Sequence, residues 1–210
     1  MELNGFYNMD CIEGMSKIPD KYFQLAIVDP PYGGTEEETK AERRGGDWAA
    51  KYGEHIKEWD IAPKPEYFTE LFRISENQVI WGGNYFRLPP TRCFLIWRKP
   101  TMSETFSMAM CEYAWTSFRE NAKVFEYAPH AQKGETRIHP TQKPIPLYEW
   151  ILSRYAKPGD RIIDTHVGSG SSLIACHNAG YEYMGFEIDE HYFRAAQERI
   201  EDAKAQMSLF

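Results

Sequence analysis

Two periods of apolar residues run through this chain. Short apolar runs bounded by turn residues predict strands over 6–10, 25–28, 78–81, 93–97, 112–118, 161–164 and 183–187. Helical spacing appears between them. Residues 11–18 suit a brief helix stopped by Pro19-Asp20. Residues 65–74 place Phe68, Leu71 and Phe72 on one stripe, and 146–156 do the same with Leu147, Ile151 and Tyr155. Residues 171–179 form a helix of small side chains closed by Gly180, and 189–205 form an amphipathic one with Phe193, Ala196 and Ile200 inward. Strands alternating with helices predict an α/β fold with a mostly parallel central sheet and helices on both faces. Residues 34–58 and 126–143 lack periodicity and read as long surface loops.

Length and charge narrow the picture. The 210 residues fit one domain, 1–210, with a full hydrophobic core. No apolar run approaches a membrane span, and the N-terminus lacks the pattern of a signal peptide. Cys11, Cys93, Cys111 and Cys176 are scattered without a C-x-x-C pair, which argues against a zinc site and fits reduced thiols in a cytosol. The net charge of −7 opposes tight autonomous binding to a polyanion. The bases are nonetheless clustered. Arg87, Arg92, Arg98 and Lys99 stand without an acid in 87–99, and Arg119, Lys123, Lys133, Arg137 and Lys143 follow with few. A basic middle leaves room for one nucleic-acid-facing surface.

Two stretches carry candidate chemistry. The first is Asp29-Pro30-Pro31-Tyr32, at the end of the 25–28 strand. Two prolines fix φ and remove N–H donors, leaving carbonyl acceptors beside a carboxylate and an aromatic ring. Such a turn suits a planar group bearing an amine; taken alone it suits an ordinary turn equally. The second is a strand, the turn Gly168-Ser169-Gly170, a helix, and a strand ending in Glu187. Glycines let a backbone approach a ligand, and an acid at that place accepts from ribose hydroxyls. No third glycine completes G-x-G-x-x-G, and no G-x-x-x-x-G-K-[ST] loop is present. A nucleoside cofactor without phosphates, S-adenosylmethionine (SAM), therefore suits the site better than a dinucleotide or triphosphate.

The order of these motifs resembles the permuted, β-type adenine-N6 DNA methyltransferases of phage and bacteria, in which the amine site precedes the SAM loop. His139-Pro140-Thr141-Gln142-Lys143-Pro144, Trp81-Gly82-Gly83-Asn84 and Glu112-Tyr113-Ala114-Trp115-Thr116 are similar to segments of that family. The resemblance implies a Rossmann-like methyltransferase fold in circularly permuted order, acting on adenine N6 in flipped-out DNA. It implies that Asp29, Pro30, Pro31 and Tyr32 form the amine site, with Tyr32 stacking on the base. Asp164, Thr165, His166, Gly168, Ser169, Gly170 and Glu187 would surround SAM, with Asp10 accepting from its adenine amine and Thr141 and Lys143 near its carboxylate. Arg87, Arg92, Lys99, Lys133 and Arg137 are candidate phosphate contacts, and 34–58 and 119–143 the candidate DNA-contacting loops.

No metal is required. A homodimer would present two basic surfaces, and the setting would be the cytoplasm of a bacterial or phage-infected cell, in restriction-modification. The chain departs from the family at Asp164-Thr165-His166, where Asp-Pro-Phe is usual, and in having no separate large target-recognition domain. N4-cytosine methylation is the near alternative, more often with Ser at the first motif position. A non-catalytic SAM- or DNA-binding module that keeps the fold is the distant one.

Overall fold

The computed structural model describes residues 1–33, 61–105, 109–129 and 137–207. In chain order the elements are β1 (Gly5–Asn8), α1 (Cys11–Ser16), β2 (Phe23–Val28), α2 (Pro65–Ile74), β3 (Ser75–Trp81), β4 (Phe94–Arg98), β5 (Cys111–Thr116), β6 (Lys123–Glu126), α3 (Ile145–Tyr155), β7 (Arg161–Asp164), α4 (Ser171–Asn178), β8 (Glu182–Glu187) and α5 (Glu190–Met207). The strands form one eight-stranded sheet in the order β1-β8-β7-β2-β3-β5-β4-β6. Only β5 runs against its neighbours; every other pairing is parallel. The expected mostly parallel sheet is therefore present.

The pleat of β2 explains the layers. Leu25 and Ile27 join a core that contains Leu147 and Ile151 of α3, Leu173 and Ile174 of α4, and Ile200 of α5. Ala26 and Val28 join a second core with Met15 of α1 and Tyr67, Leu71 and Ile74 of α2. Successive strand residues point to opposite faces, so a strand apolar throughout is covered on both sides. Each fully buried aliphatic side chain of this kind contributes about 1.5–3 kcal/mol relative to exposure.

Several boundaries differ from the sequence expectation for local reasons. The first strand stops at Asn8 because Asp10 caps α1, its Oδ1 accepting from the backbone N–H of Ile12 (2.9 Å) and Glu13 (3.1 Å). β3 starts at Ser75, directly after α2, where the Ser75 hydroxyl donates to the carbonyl of Leu71. Lys123–Glu126, expected within a loop, pairs as β6 along β4; two apolar residues between a base and an acid carry too little pattern to be read. Gly83–Tyr85 adds a short 3-10 turn after β3. The expected loop 34–58 lies outside the described residues.

Close packing places the glycine turn. Gly185 lies in β8, and a Cβ built on it would come within 2.6 Å of Val167 and 2.8 Å of Leu173. Those residues flank the turn before α4, so the absent side chain sets how near the turn lies to the sheet. Gly185→Ala is expected to lower stability by about 1–3 kcal/mol through overpacking. Thermal unfolding followed by circular dichroism checks this; an unchanged midpoint would show that the turn yields at no cost.

Candidate active site

The carboxyl ends of β1, β8, β7, β2 and β3 share one edge of the sheet. From β7 the chain goes on to β8 on one side, and from β2 to β3 on the other. Between β7 and β2 the strand order therefore reverses, which is where open α/β sheets bind ligands. The two motifs singled out from the sequence follow these two strands.

Asp29 follows β2 and its side chain is 15% exposed. Its Oδ1 accepts from the Tyr32 hydroxyl at 2.9 Å, and its Oδ2 pairs with the Lys143 ammonium. Lys143 is buried, reaches Glu112 Oε2 at 3.1 Å, and lies over the Trp81 ring. Glu112 Oε1 in turn pairs with Lys99 Nζ at 2.5 Å. Two acids and two lysines thus alternate through a largely buried row. Burial pushes Glu112 up, but Lys143 and Lys99 outweigh it and hold the carboxyl at about 2. Burial lowers Lys143, and the Asp29 and Glu112 carboxylates more than reverse this, so its ammonium is held above the usual lysine range. Burial followed by the Asp29 charge raises the Tyr32 hydroxyl well above its ordinary value, so it acts as a donor.

The Tyr32 ring, expected to offer a free face, stacks on Tyr85 at 4.6 Å and meets Phe86 edge-on. It also lies against Gly82, where a Cβ would come within 2.0 Å of the ring. Gly82 has φ +66°, so close approach and left-handed backbone both require glycine.

Across the crevice, Gly168 and Gly170 also have positive φ and turn the chain from β7 into α4. Glu187, at the end of β8, accepts from the Gly168 N–H at 2.8 Å and the Asp189 N–H at 2.9 Å. Burial raises its carboxyl above the ordinary glutamate value against these hydrogen bonds. Arg199 braces the turn by donating to the Ser169 carbonyl at 2.6 Å. Asp164 faces inward: its Oδ1 accepts from the His166 N–H and its Oδ2 from the Ser172 hydroxyl. Burial pushes it up to about 7.

Thr165 and His166, where the sequence departs from the family pattern, form a hydrogen-bonded corner. Tyr67 and Thr165 share a hydrogen bond of 2.6 Å, and Thr165 Oγ1 lies 3.0 Å from His166 Nδ1. Burial lowers His166 to about 4, so its ring is neutral at ordinary pH.

Two adjoining pockets occupy the crevice. The smaller is lined by Asp29, Thr141, Lys143, His166, Gly168 and Ser169 among others. The larger is lined by Asp10, Ile12, Ile61, Tyr67, Thr165 and Ile188 among others, and both open to solvent. Pro31, His166, Glu187 and Ile188 belong to both. Ile12, Ile61 and Ile188 are exposed large apolar residues, and all three line the larger pocket. Apolar walls with acids at the strand ends fit a nucleoside cofactor such as SAM, with no phosphate-binding positive charge needed.

The remaining expected residues distribute unevenly. Lys99 is not a phosphate contact, because it is 5% exposed and committed to Glu112. Arg137 donates to the carbonyls of His139 and Pro140 and so braces its own loop. Lys143 is engaged by Asp29 and Glu112 rather than left for a cofactor carboxylate. Arg92 lies at the amino end of β4, away from the crevice, and bonds Asn121. Arg87 is exposed just beyond the 3-10 turn that carries Tyr85, and Lys133 lies outside the described residues.

Sequence reading missed Glu112 as a site residue, although its segment stood out; an acid opening an aromatic strand was the available signal. It also missed His139, which lines the smaller pocket and accepts at Nδ1 from the Thr141 N–H at 3.3 Å. Burial, then Arg137 and Lys143, lower this histidine to about 3.

No group of three or more metal-ligating side chains occurs among the described residues. No helix among them is long and apolar enough to cross a membrane.

This geometry agrees with what the chain is similar to. The type II methyltransferase M.HpaI of Haemophilus parainfluenzae is 23% identical over 234 residues, covering 91% of this chain and 72% of that protein. The crystal structure of an M1.HpyAVI–SAM complex matches at TM-score 0.57 and 20% identity, over 92% of this chain and 98% of that one. The PvuII DNA methyltransferase, described as cytosine-N4-specific, matches at TM-score 0.63 and 13% identity, over 95% and 90%. These structural likenesses establish the fold. The sequence profile of the DNA methylase family N6_N4_Mtase matches residues 80–198, more than half of the chain. This protein therefore belongs to the N6/N4 DNA methylases, a family of SAM-dependent DNA methyltransferases.

Proposed function

We propose that the chain transfers a methyl group from SAM to the N6 amine of adenine in DNA. The observation that carries the reading is Asp29: a carboxylate held by Tyr32 and Lys143 at the mouth of the crevice, facing the glycine turn. An exocyclic amine is a poor nucleophile because its lone pair is delocalised into the ring. Asp29 and the Pro30 carbonyl would accept its N–H bonds, favour a pyramidal nitrogen and stabilise the positive charge that develops there. SAM supplies an electrophilic methyl group on a sulfonium. Glu187 would hold the ribose hydroxyls, Ile188 and Ile12 would flank the adenine, and Asp10 would lie at its amine; Asp10 lines the larger pocket with Oδ1 already used as a helix cap. Gly168, Ser169 and Gly170 would run along the methionine part. Holding the two reactants in line accounts for the positional share of the acceleration.

The base must leave the duplex to reach Asp29, at an unstacking cost of a few kcal/mol, by general estimate about 2–4. Arg87, exposed just beyond the turn that follows β3, would be a phosphate contact. Aspartate at the first motif position favours adenine. The PvuII neighbour favours N4-cytosine as the second reading.

Three outcomes test this. Incubation with labelled SAM and unmethylated genomic DNA, followed by nucleoside analysis, is expected to yield N6-methyladenine; N4-methylcytosine would establish the second reading. Asp29→Ala is expected to lower the single-turnover rate by about 100-fold or more while calorimetry finds SAM binding retained. Equal rates in parent and variant would overturn the amine-site assignment. The third concerns pH. Glu187 is raised by burial, and a ribose acceptor works as the carboxylate, so SAM affinity is expected to fall on acidification from a pH above the ordinary glutamate range. Calorimetry between roughly pH 5 and 8 should show this fall in the parent and a weaker, flatter profile in Glu187→Gln.

A further inference from the structure

We propose that Glu112, with Lys99 behind it, is a positioning residue that governs how strongly Asp29 accepts from the amine, by sharing the Lys143 ammonium with it. This rests on Asp29 being the amine acceptor. The geometry is a row. Tyr32 and Lys143 occupy one oxygen each of Asp29, Lys143 also reaches Glu112, and Lys99 closes the row on the other oxygen of Glu112. The charges alternate and sum to zero. They come from distant parts of the chain: β2, β5, the end of β4 and the segment before α3. Other titratable groups facing this row are Tyr148, which feels both carboxylates, Tyr67 and Asp164, which feel Asp29, and His139, which feels Lys143.

One ammonium given wholly to Asp29 would neutralise the carboxylate that the amine needs. Shared with Glu112, it holds Asp29 in place and leaves electron density on both its oxygens. The sharing matters again after methyl transfer. The amine lone pair forms the new N–C bond, and the pair of the breaking C–S bond stays on sulfur. The nitrogen, now positive, releases one proton to Asp29 and later to water. While Asp29 is neutral the row carries one net positive charge, but Lys143 keeps Glu112 as a counter-ion, so its ammonium is not left without a carboxylate. Lys99 plays the same part for Glu112. Trp81, fully buried beneath Lys143, offers a ring face to the same ammonium.

The test compares two variants whose predicted effects have opposite sign. Glu112→Gln leaves two lysines against one carboxylate. Its single-turnover rate is expected to fall about 10- to 100-fold, and the acid limb of its pH–rate profile to move to lower pH by about one unit. Glu112→Asp should recover part of both. Lys99→Met leaves one lysine against two carboxylates, and its acid limb should move to higher pH. Calorimetric SAM affinity should stay near that of the parent in all three. Limbs that coincide with the parent's, or that move the same way in both variants, would overturn the proposal. If Glu112→Gln does not fold, the direction of the limb in Lys99→Met decides alone. A parent that binds SAM but methylates no DNA refutes the functional reading instead. In that case the coupling is read by a double-mutant cycle of Glu112→Gln and Lys143→Met in thermal unfolding, and zero coupling sinks it.

Discussion

Burying Lys143 between two carboxylates is the constraint around which this site is built. An ammonium taken out of water is costly unless paired and hydrogen-bonded. Here the partners come from the end of β2 and from β5. Pairing Glu112 with Lys99 extends the same requirement to the end of β4. The antiparallel hairpin β4–β5 is therefore more than an extension of the sheet. It carries the charges that let a lysine sit beside Asp29 with both ionised. The short path from Asp29 to the sheet's far strands is electrostatic.

The crevice divides its work along the strand order. The ends of β2 and β3 supply a tightly packed aromatic and charged corner beside the smaller pocket, in which Gly82 lets Tyr32 pack where a side chain would collide. The ends of β7, β8 and β1, with the segment that opens α2, supply a looser, more apolar pocket, whose walls include exposed isoleucines and whose polar groups include Asp10 and Glu187 beside Lys64, Thr165 and His166. His166 lines both pockets, and its neutral ring is fixed by Thr165 on one side and by Cys11 Sγ, 3.8 Å away, on the other. The hydrogen-bonded chain from Tyr67 through Thr165 to His166 joins α2 to the turn after β7. It does by polar contact what an apolar corner would do by packing.

Much of this was legible in the sequence. The β7–turn–α4–β8 unit reads clearly because a short apolar run, two glycines, a small-residue helix and a terminal acid are all local signals. Asp29-Pro30-Pro31-Tyr32 reads as a rigid turn for the same reason. What the sequence hid is non-local. Lys99 and Lys143 look like exposed bases because lysines are seldom buried; only the fold brings them to Glu112. Asp10 looked free, and the local competition of a helix N-terminus for its carboxylate was overlooked. β6 escaped notice because its pairing with β4, rather than its own pattern, makes it a strand.

The permuted order has a consequence for synthesis. β2 pairs with β3 on one side and with β7 on the other, and its Gln24 contacts Arg161 across 137 residues of chain. β1 waits still longer, its Asn8 meeting the carbonyl of Glu187 179 residues on. A chain emerging from the ribosome completes the Asp29 side while one edge of β2 has no partner. That apolar edge is a template for pairing with another chain until β7 arrives. The crevice closes only as the last strands are made, so the amine side, assembled first, waits for the cofactor side.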